Sequence, residues 1–489
     1  MYIIALDEGT TSVRAILYDG TGKAIVSSSK PIKIKTPRPG WVQQDAEEIY
    51  GKAVDVLKEL INKAGVAARD IAAIGIANQR ETVVVWDRKT GMPVYDAIVW
   101  QCRRTADICE KIKAEGMAEE IFNKTGLEVD AYFSATKIKW ILENVPGALY
   151  KALNGQLIAG TIDSYLIWKL TEEHKHVTDP TNASRTMLFN IKELKWDKDL
   201  IRYFDIPIDM LPEVVDSSSK VGYTSVLGDP VLIGGIIGDQ QASLFGQCCF
   251  DIGEAKNTYG TGSFMLINTG DYIKAPSGLL NTVGWTIRGK ATYAIEGSIF
   301  ISGALIQWLR DQMGILKTAQ ESEELALQVS DNGGIYIVPA FTGLGAPYWD
   351  MYARGLIIGI TRGTTKAHIA RAALEAMAYQ VYDIFDMVEN NSGFAIKSLK
   401  VDGGASSNNF LMQFQANILG VDVIRPEDLE TTARGAAYMS GLTAGVWDME
   451  ILKKLNKEDR VFKPDIDFDR ARAIKGWRRA VERSKSWAI

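Results

Sequence analysis

The sequence predicts an α/β protein made of two similar domains. Three observations carry this reading. Apolar strand-like runs alternate with helical stretches along all 489 residues. A hairpin pattern, apolar strand then Gly-Thr turn then apolar strand, occurs twice, in IIALDEGTTSVRAILYD near the start and in AKNTYGTGSFMLINT at 255–269. A third pattern also repeats: a short strand, an acidic-Gly turn, then Ala-Ser opening a helix, in IIGDQQASLFGQ (236–247) and VDGGASSNNFLMQ (401–413). The spacing differs between the halves, so insertions are expected. The natural boundary falls at Cys248–Gly253, giving an N-terminal domain over 1–248 and a C-terminal domain over 249–489.

The elements follow from local pattern. Tyr2–Leu6 and Val13–Tyr18 read as strands of one hairpin. Ala46–Gly65 has helical periodicity, with Ile49, Val54, Leu57, Leu60 and Ile61 on one face. Ile71–Ile76 and Val83–Trp86 read as strands, and Ala131–Asn144 as a helix. His174 and His176 fall in a polar stretch that reads as a surface loop. Gly234–Ile237 is a short buried strand ending at Gly238-Asp239. Thr364 to about Glu389 is a long Ala-rich helix with Thr as its cap. WRRAVERSK (477–485) reads as a helix with a solvated basic face.

Composition narrows the function. Hydrophobic residues make up 46% and charged residues 24%, the balance of a soluble globular protein. The net charge is −5 with no basic block, which argues against a nucleic-acid partner. Cys102, Cys109, Cys248 and Cys249 are too few and too irregular for a disulfide framework. No apolar run reaches the roughly 18 residues needed to cross a bilayer, and the N-terminus has no basic leader before Asp7. The expectation is a soluble, reduced, cytoplasmic protein. Three His residues make a His-based metal site or a Ser-His-Asp triad a poor fit.

Several motifs carry chemistry, each with a structural alternative. GWTIRGKA (284–291) nearly matches a P-loop, but Ala291 replaces the metal-binding hydroxyl and a strand follows, so a hairpin with a Gly-Lys turn is expected. Gly9-Thr10-Thr11-Ser12 can offer amides and hydroxyls to an anion, with Arg14 on the same strand face; the alternative is a hydrophilic hairpin turn. Gly260-Thr261-Gly262-Ser263 repeats it, and two such turns could grip one polyphosphate. Asp239 ends a buried strand, where open α/β sheets place ligands, and could take a hydroxyl proton; otherwise it caps a helix. Gly403, Gly404, Ala405 and Asn408 could admit a flat ring or simply form a helix cap. Asn78-Gln79-Arg80-Glu81 places charges in an apolar setting, to bind a polyol or to form a structural ion pair. WQCRR at Trp100–Arg104 ends another strand.

Taken with GIANQRETVVVWD, DAYFSATKIKWIL, NASRTMLFNI, EGSIFISGALIQWLRD, VPAFTGLGAPYWD and ARGLIIGITRGT, these motifs resemble the FGGY carbohydrate kinases almost from end to end. The family's signature regions appear as Tyr132–Asn144 and Gly355–Glu375. Within the family the sequence resembles the branch that phosphorylates glycerol. The resemblance implies two ribonuclease-H-like (actin-like ATPase) domains with ATP between them. It implies transfer from ATP to glycerol, with Mg²⁺, giving sn-glycerol 3-phosphate.

By matching position, Arg80, Glu81, Tyr132, Asp239 and Gln240 are implied glycerol ligands, with Trp100 and Phe264 as its apolar wall. Thr10, Thr11, Ser12 and Arg14 resemble the first phosphate loop, and Thr261 the second. Gly303, Gln307, Gly404, Ala405 and Asn408 resemble nucleotide contacts. Asp239 matches the catalytic base, and Asp7 and Asp239 the Mg²⁺-linked carboxylates. A homodimer or homotetramer is expected. The alternatives are an FGGY kinase for another small polyol or sugar, or a non-catalytic actin-like ATPase. The stretch GYTSVLGDPVLIGG lacks the Arg-bearing loop of members inhibited by fructose 1,6-bisphosphate, so that regulation is not expected. Glu8 has no role legible in the sequence.

Overall fold

The computed structural model describes residues 1–488. The chain forms two compact units. The first comprises Met1–Cys248, Asn281–Tyr293 and Thr431–Asn456; the second comprises Cys249–Leu280, Ala294–Glu430 and Lys457–Ile489. By contacts, chain beyond residue 248 thus returns to the first unit. The reason is helix Thr431–Ala444, which packs on the first unit through close backbone contacts. A Cβ on Gly75 would lie 1.9 Å from the Ala436 carbonyl oxygen, and one on Gly435 would lie 1.9 Å from that of Ala242. Only glycine permits such an approach.

The main sheet of the first unit runs Leu280–Ile287, Ser218–Thr224, Val231–Gly238, Ile71–Asn78, Tyr2–Glu8, Ser12–Tyr18, Ala24–Pro31. Its centre is parallel: Tyr2–Glu8 pairs with Ile71–Asn78, which pairs with Val231–Gly238. The register sets Glu8, Asn78 and Gly238 side by side at the strand ends. Helix Ala46–Ala64 covers one face; Ile49, Leu57 and Leu60 are buried in the core and Val54 and Ile61 are half-buried. Asp45 caps its start and Gly65, at φ 65°, ends it. A smaller sheet runs Ile34–Lys35, Gln43–Gln44, Ala97–Ile98, Val83–Asp87, Leu157–Thr161.

In the second unit the strands run Glu458–Phe462, Asp422–Pro426, Ser398–Asp402, Ala255–Tyr259, Ser263–Gly270, Lys290–Ile299. Here Ala255–Tyr259 pairs in parallel with Ser398–Asp402, which pairs in parallel with Asp422–Pro426. The helix expected from Thr364 spans Lys366–Asn391 and is capped by Thr365. Helix Arg470–Ser484 buries Trp477, Ala480 and Val481 and leaves Arg472, Arg479 and Arg483 exposed.

Two local expectations change. The helix expected from Ala131 begins at Ser134, because the Asp130 carboxylate accepts the Tyr132 amide at 2.8 Å and turns the chain first. The hairpin at 280–299 turns at Arg288-Gly289, with φ 52° and 72°, rather than at Gly-Lys. His174 is exposed but stacks on Trp168 at 4.2 Å, and His176 Nε2 lies 3.0 Å from the Ala159 carbonyl oxygen. Burial pushes His176 down to about 4. All four cysteines are buried, and among the described residues none forms a disulfide. Among the described residues no helix is long and apolar enough to cross a membrane.

Candidate active site

Three parallel strands ending in register deliver three loops to one place in the first unit. After Glu8 comes the Gly-Thr-Thr turn, after Asn78 comes Gln79-Arg80-Glu81, and after Gly238 comes Asp239. Asp239 opens helix Asp239–Gly246. Its Oδ1 accepts the Gln240 amide at 2.8 Å and its Oδ2 accepts the Gln240 side-chain amide at 3.0 Å. Arg80 is buried, with Nε 3.2 Å from Asp239 Oδ1 and a terminal nitrogen donating to Gln241 Oε1 at 3.2 Å. The Asp239 side chain is 27% exposed, so it is the part of this pair that a ligand can reach.

Glu81 is buried and takes φ 59°, while the Thr82 amide donates to the Arg80 carbonyl at 2.7 Å. Together these define a γ-turn of the rare positive-φ kind centred on Glu81. Arg185 Nε donates to Glu81 Oε1 at 2.7 Å. Tyr132 meets Trp100 edge to face, with ring centroids 5.7 Å apart. The Trp100 indole donates to Thr10 Oγ1 at 2.8 Å, which links the aromatic wall to the first Gly-Thr turn. The turn closes through Gly9 N–H to the Ser12 carbonyl at 3.0 Å, and Thr11 is exposed. Arg14 sits opposite Asp7 across the hairpin.

Glu8 is fully buried beneath this turn. It accepts from Gln79 Nε2 at 2.7 Å; the same nitrogen donates to Gln44 Oε1 at 2.9 Å, and Gln44 donates to the Thr10 carbonyl at 2.6 Å. Burial pushes the Glu8 carboxyl well above the usual carboxylate range, against the lowering effect of the Gln79 hydrogen bonds. Its place in the molecule is thus a buried anchor for the turn.

The second unit holds a cavity of about 460 Å³. Thr261, Gly303, Gln307, Gly404, Ala405 and Asn408 all line it, with Arg310, Gln320 and Glu323 beside them. Its size suits a small-molecule ligand. Asn408 also caps helix Asn409–Leu419, its side chain accepting the Leu411 amide at 2.9 Å, so the capping role is real. Phe264 is half-buried on strand Ser263–Gly270 of this unit, whereas the other residues expected to bind a polyol belong to the first. Among the described residues no cluster of three or more His, Cys, Asp or Glu is arranged to hold a metal.

Some residues in these sites carried no separate signal. Arg310, Gln320 and Glu323 look like ordinary helix-surface residues in the sequence. Lys137 is fully buried, and its Nζ donates to the carbonyls of Glu81 at 3.1 Å and Tyr132 at 2.5 Å. Burial pushes its ammonium down to about 8.

Comparison with known proteins agrees with this architecture. The profile of the FGGY family of carbohydrate kinases, N-terminal domain, matches residues 2–246, and that of the C-terminal domain matches 255–444. The chain is 57% identical to the glycerol kinase of Caldanaerobacter subterraneus subsp. tengcongensis, over 100% of this chain and 99% of that protein. It is 56% identical to the glycerol kinase of a Thermoanaerobacter species over the same shares. The crystal structure of Plasmodium falciparum glycerol kinase with ADP superposes with a TM-score of 0.92 at 36% identity, covering 99% of this chain and 98% of that one. The chain belongs to the FGGY family of carbohydrate kinases and has its two-domain α/β fold.

Proposed function

We propose that this chain is an ATP:glycerol 3-phosphotransferase, converting glycerol and ATP to sn-glycerol 3-phosphate and ADP. The observation that supports it best is the Arg80–Asp239 pair beside Glu81 and the Trp100–Tyr132 corner. Buried polar groups next to aromatic faces suit a small triol, since each group left unpaired by a poorer substrate is penalised. In this reading Arg80, Glu81, Tyr132, Asp239 and Gln240 hold the hydroxyls, and Trp100 and Phe264 meet the carbon backbone.

Asp239 would orient a terminal hydroxyl and take its proton as the oxygen attacks the terminal phosphoryl group. General-base help of this kind contributes about 10²–10⁴ in rate. Arg80 keeps the Asp239 carboxylate aimed, at 3.2 Å. Thr10, Thr11, Ser12 and Arg14 would steady the transferring phosphoryl group, and Thr261, Gly303, Gln307, Gly404, Ala405 and Asn408 the nucleotide. Asp7 and Asp239 both raise the Glu8 carboxyl by their charge, so carboxylates gather at these strand ends. Such hard oxygen donors fit Mg²⁺, which binds through one or two carboxylates plus phosphates. Bound there, it would neutralise phosphate charge. We further propose a cytoplasmic setting, which suits four buried thiols, and a homodimer or homotetramer, to be read by light scattering.

The test is coupled ADP release with glycerol, dihydroxyacetone, xylulose and gluconate. Turnover with glycerol above the others is expected; turnover with a sugar but not glycerol rejects the proposal in favour of another FGGY substrate. Asp239→Asn should keep ATP binding and lower kcat by at least 100-fold. A near-normal kcat in that variant removes Asp239 as base.

A further inference from the structure

Lys137 sits where a lysine is disfavoured twice. It is fully buried, and it lies near the N-terminus of helix Ser134–Asn144, where the helix dipole repels a cation. Its ammonium is held by two backbone carbonyls, and those carbonyls belong to Glu81 and Tyr132. Ser134, three residues earlier on the same helix face, donates its hydroxyl to the same Glu81 carbonyl at 3.2 Å. The Glu81 carboxylate is gripped separately by Arg185, itself fully buried.

Glu81 needs such a grip. A positive φ at a residue with a full side chain is strained, and strained residues persist only where their surroundings over-determine them. If relaxed, the γ-turn would swing the Glu81 carboxylate away from Arg80 and Asp239.

We infer that Lys137, with Ser134, is a positioning residue for the polyol site, clamping the Glu81 γ-turn and the Tyr132 backbone so that both side chains present one fixed geometry to the substrate. This rests on the glycerol reading above. Lys137 and Ser134 touch neither the phosphate turns nor the nucleotide cavity directly, so their loss acts first on the polyol.

Steady-state kinetics of Lys137→Met tests this, with thermal melting to confirm folding. The expected result is a glycerol KM raised at least 10-fold with the ATP KM changed less than 2-fold. Ser134→Ala should raise the glycerol KM about 2- to 5-fold in the same pattern, and it decides the matter if Lys137→Met does not fold. Unchanged glycerol KM in the folded variants, or equal rises in both KM values, overturns the clamp while wild-type turnover with glycerol leaves the main reading standing. Absence of glycerol turnover by the wild type overturns both.

Discussion

The two Gly-Thr hairpins look alike in sequence and are held in different ways. In the first, the Thr10 carbonyl accepts from the Gln44 side chain at 2.6 Å and the Thr10 hydroxyl accepts from the Trp100 indole at 2.8 Å. In the second, backbone bonds predominate, beside one from the Ser263 hydroxyl to the Ser302 hydroxyl at 2.8 Å. The amides of Ser302 and Ala304 donate to the Thr261 carbonyl at 2.8 and 3.1 Å, and the Gly303 amide donates to the Gly260 carbonyl at 3.0 Å. Amides at the start of helix Gly303–Asp311, which would otherwise seek an anion, are spent on fixing the turn. The first turn is therefore tunable through side chains, one of which, Trp100, belongs to the proposed polyol site. The second is a rigid part of its own unit.

The largest effect expected from this contrast is at Gly262. A Cβ there would lie 2.3 Å from the Ile299 carbonyl oxygen and 3.0 Å from that of Phe300. Backbone atoms cannot step aside as a side chain can, so Gly262→Ala must displace the turn. Overpacking of this kind costs about 1–3 kcal/mol. Nucleotide affinity, measured by calorimetry, should fall about 10-fold or more. Glycerol binding in the absence of nucleotide should stay within 2-fold. Unchanged nucleotide affinity would break the claim that the second turn is backbone-locked.

A middle-sized effect belongs to the Trp100–Thr10 bond. Trp100→Phe keeps a ring against Tyr132 but removes the donor to Thr10. A net hydrogen bond of this kind is worth about 0.5–1.5 kcal/mol, so kcat should drop roughly 3- to 10-fold. Thr10→Val removes the same bond from the other side. If the bond is the link, the double variant should be little worse than the worse single one. Fully additive losses would mean that the wall and the turn act independently.

This contrast shows what could be read before the fold was known. Both hairpins, the strand ending at Gly238 and the placement of Asp239 follow from apolar runs and turn residues, which act locally. Thr261 and the five residues matched to nucleotide contacts line one cavity, because turns and helix starts carry the glycines and Asn that mark them. What escaped depends on contacts remote in sequence. Helix Thr431–Ala444 joins the first unit through glycine contacts about 360 residues apart in the chain, as between Gly75 and Ala436. The γ-turn at Glu81 has no turn-forming residue to announce it. Lys137 carries the look of an ordinary amphipathic helix position, and only its burial beside the Glu81 and Tyr132 carbonyls sets it apart. Glu8 likewise gains a role only through Gln79 and Gln44, 71 and 36 positions further along.

The smallest effect should come from the glycine that looks most like a phosphate-loop signature. Gly9 has no positive φ in its conformation, and a Cβ there would meet only the Ser12 carbonyl oxygen at 3.6 Å, an ordinary contact. Its amide still closes the turn on that same oxygen, and alanine keeps the amide. Gly9→Ala should therefore change kcat, both KM values and the melting temperature very little, with kinetic constants within about 2-fold. A loss comparable to that of Gly262→Ala would require the ligand itself, not the protein, to need the space at Gly9. In that case the first turn would approach phosphate through its backbone, and the side-chain donors of Thr10, Thr11 and Ser12 would be secondary.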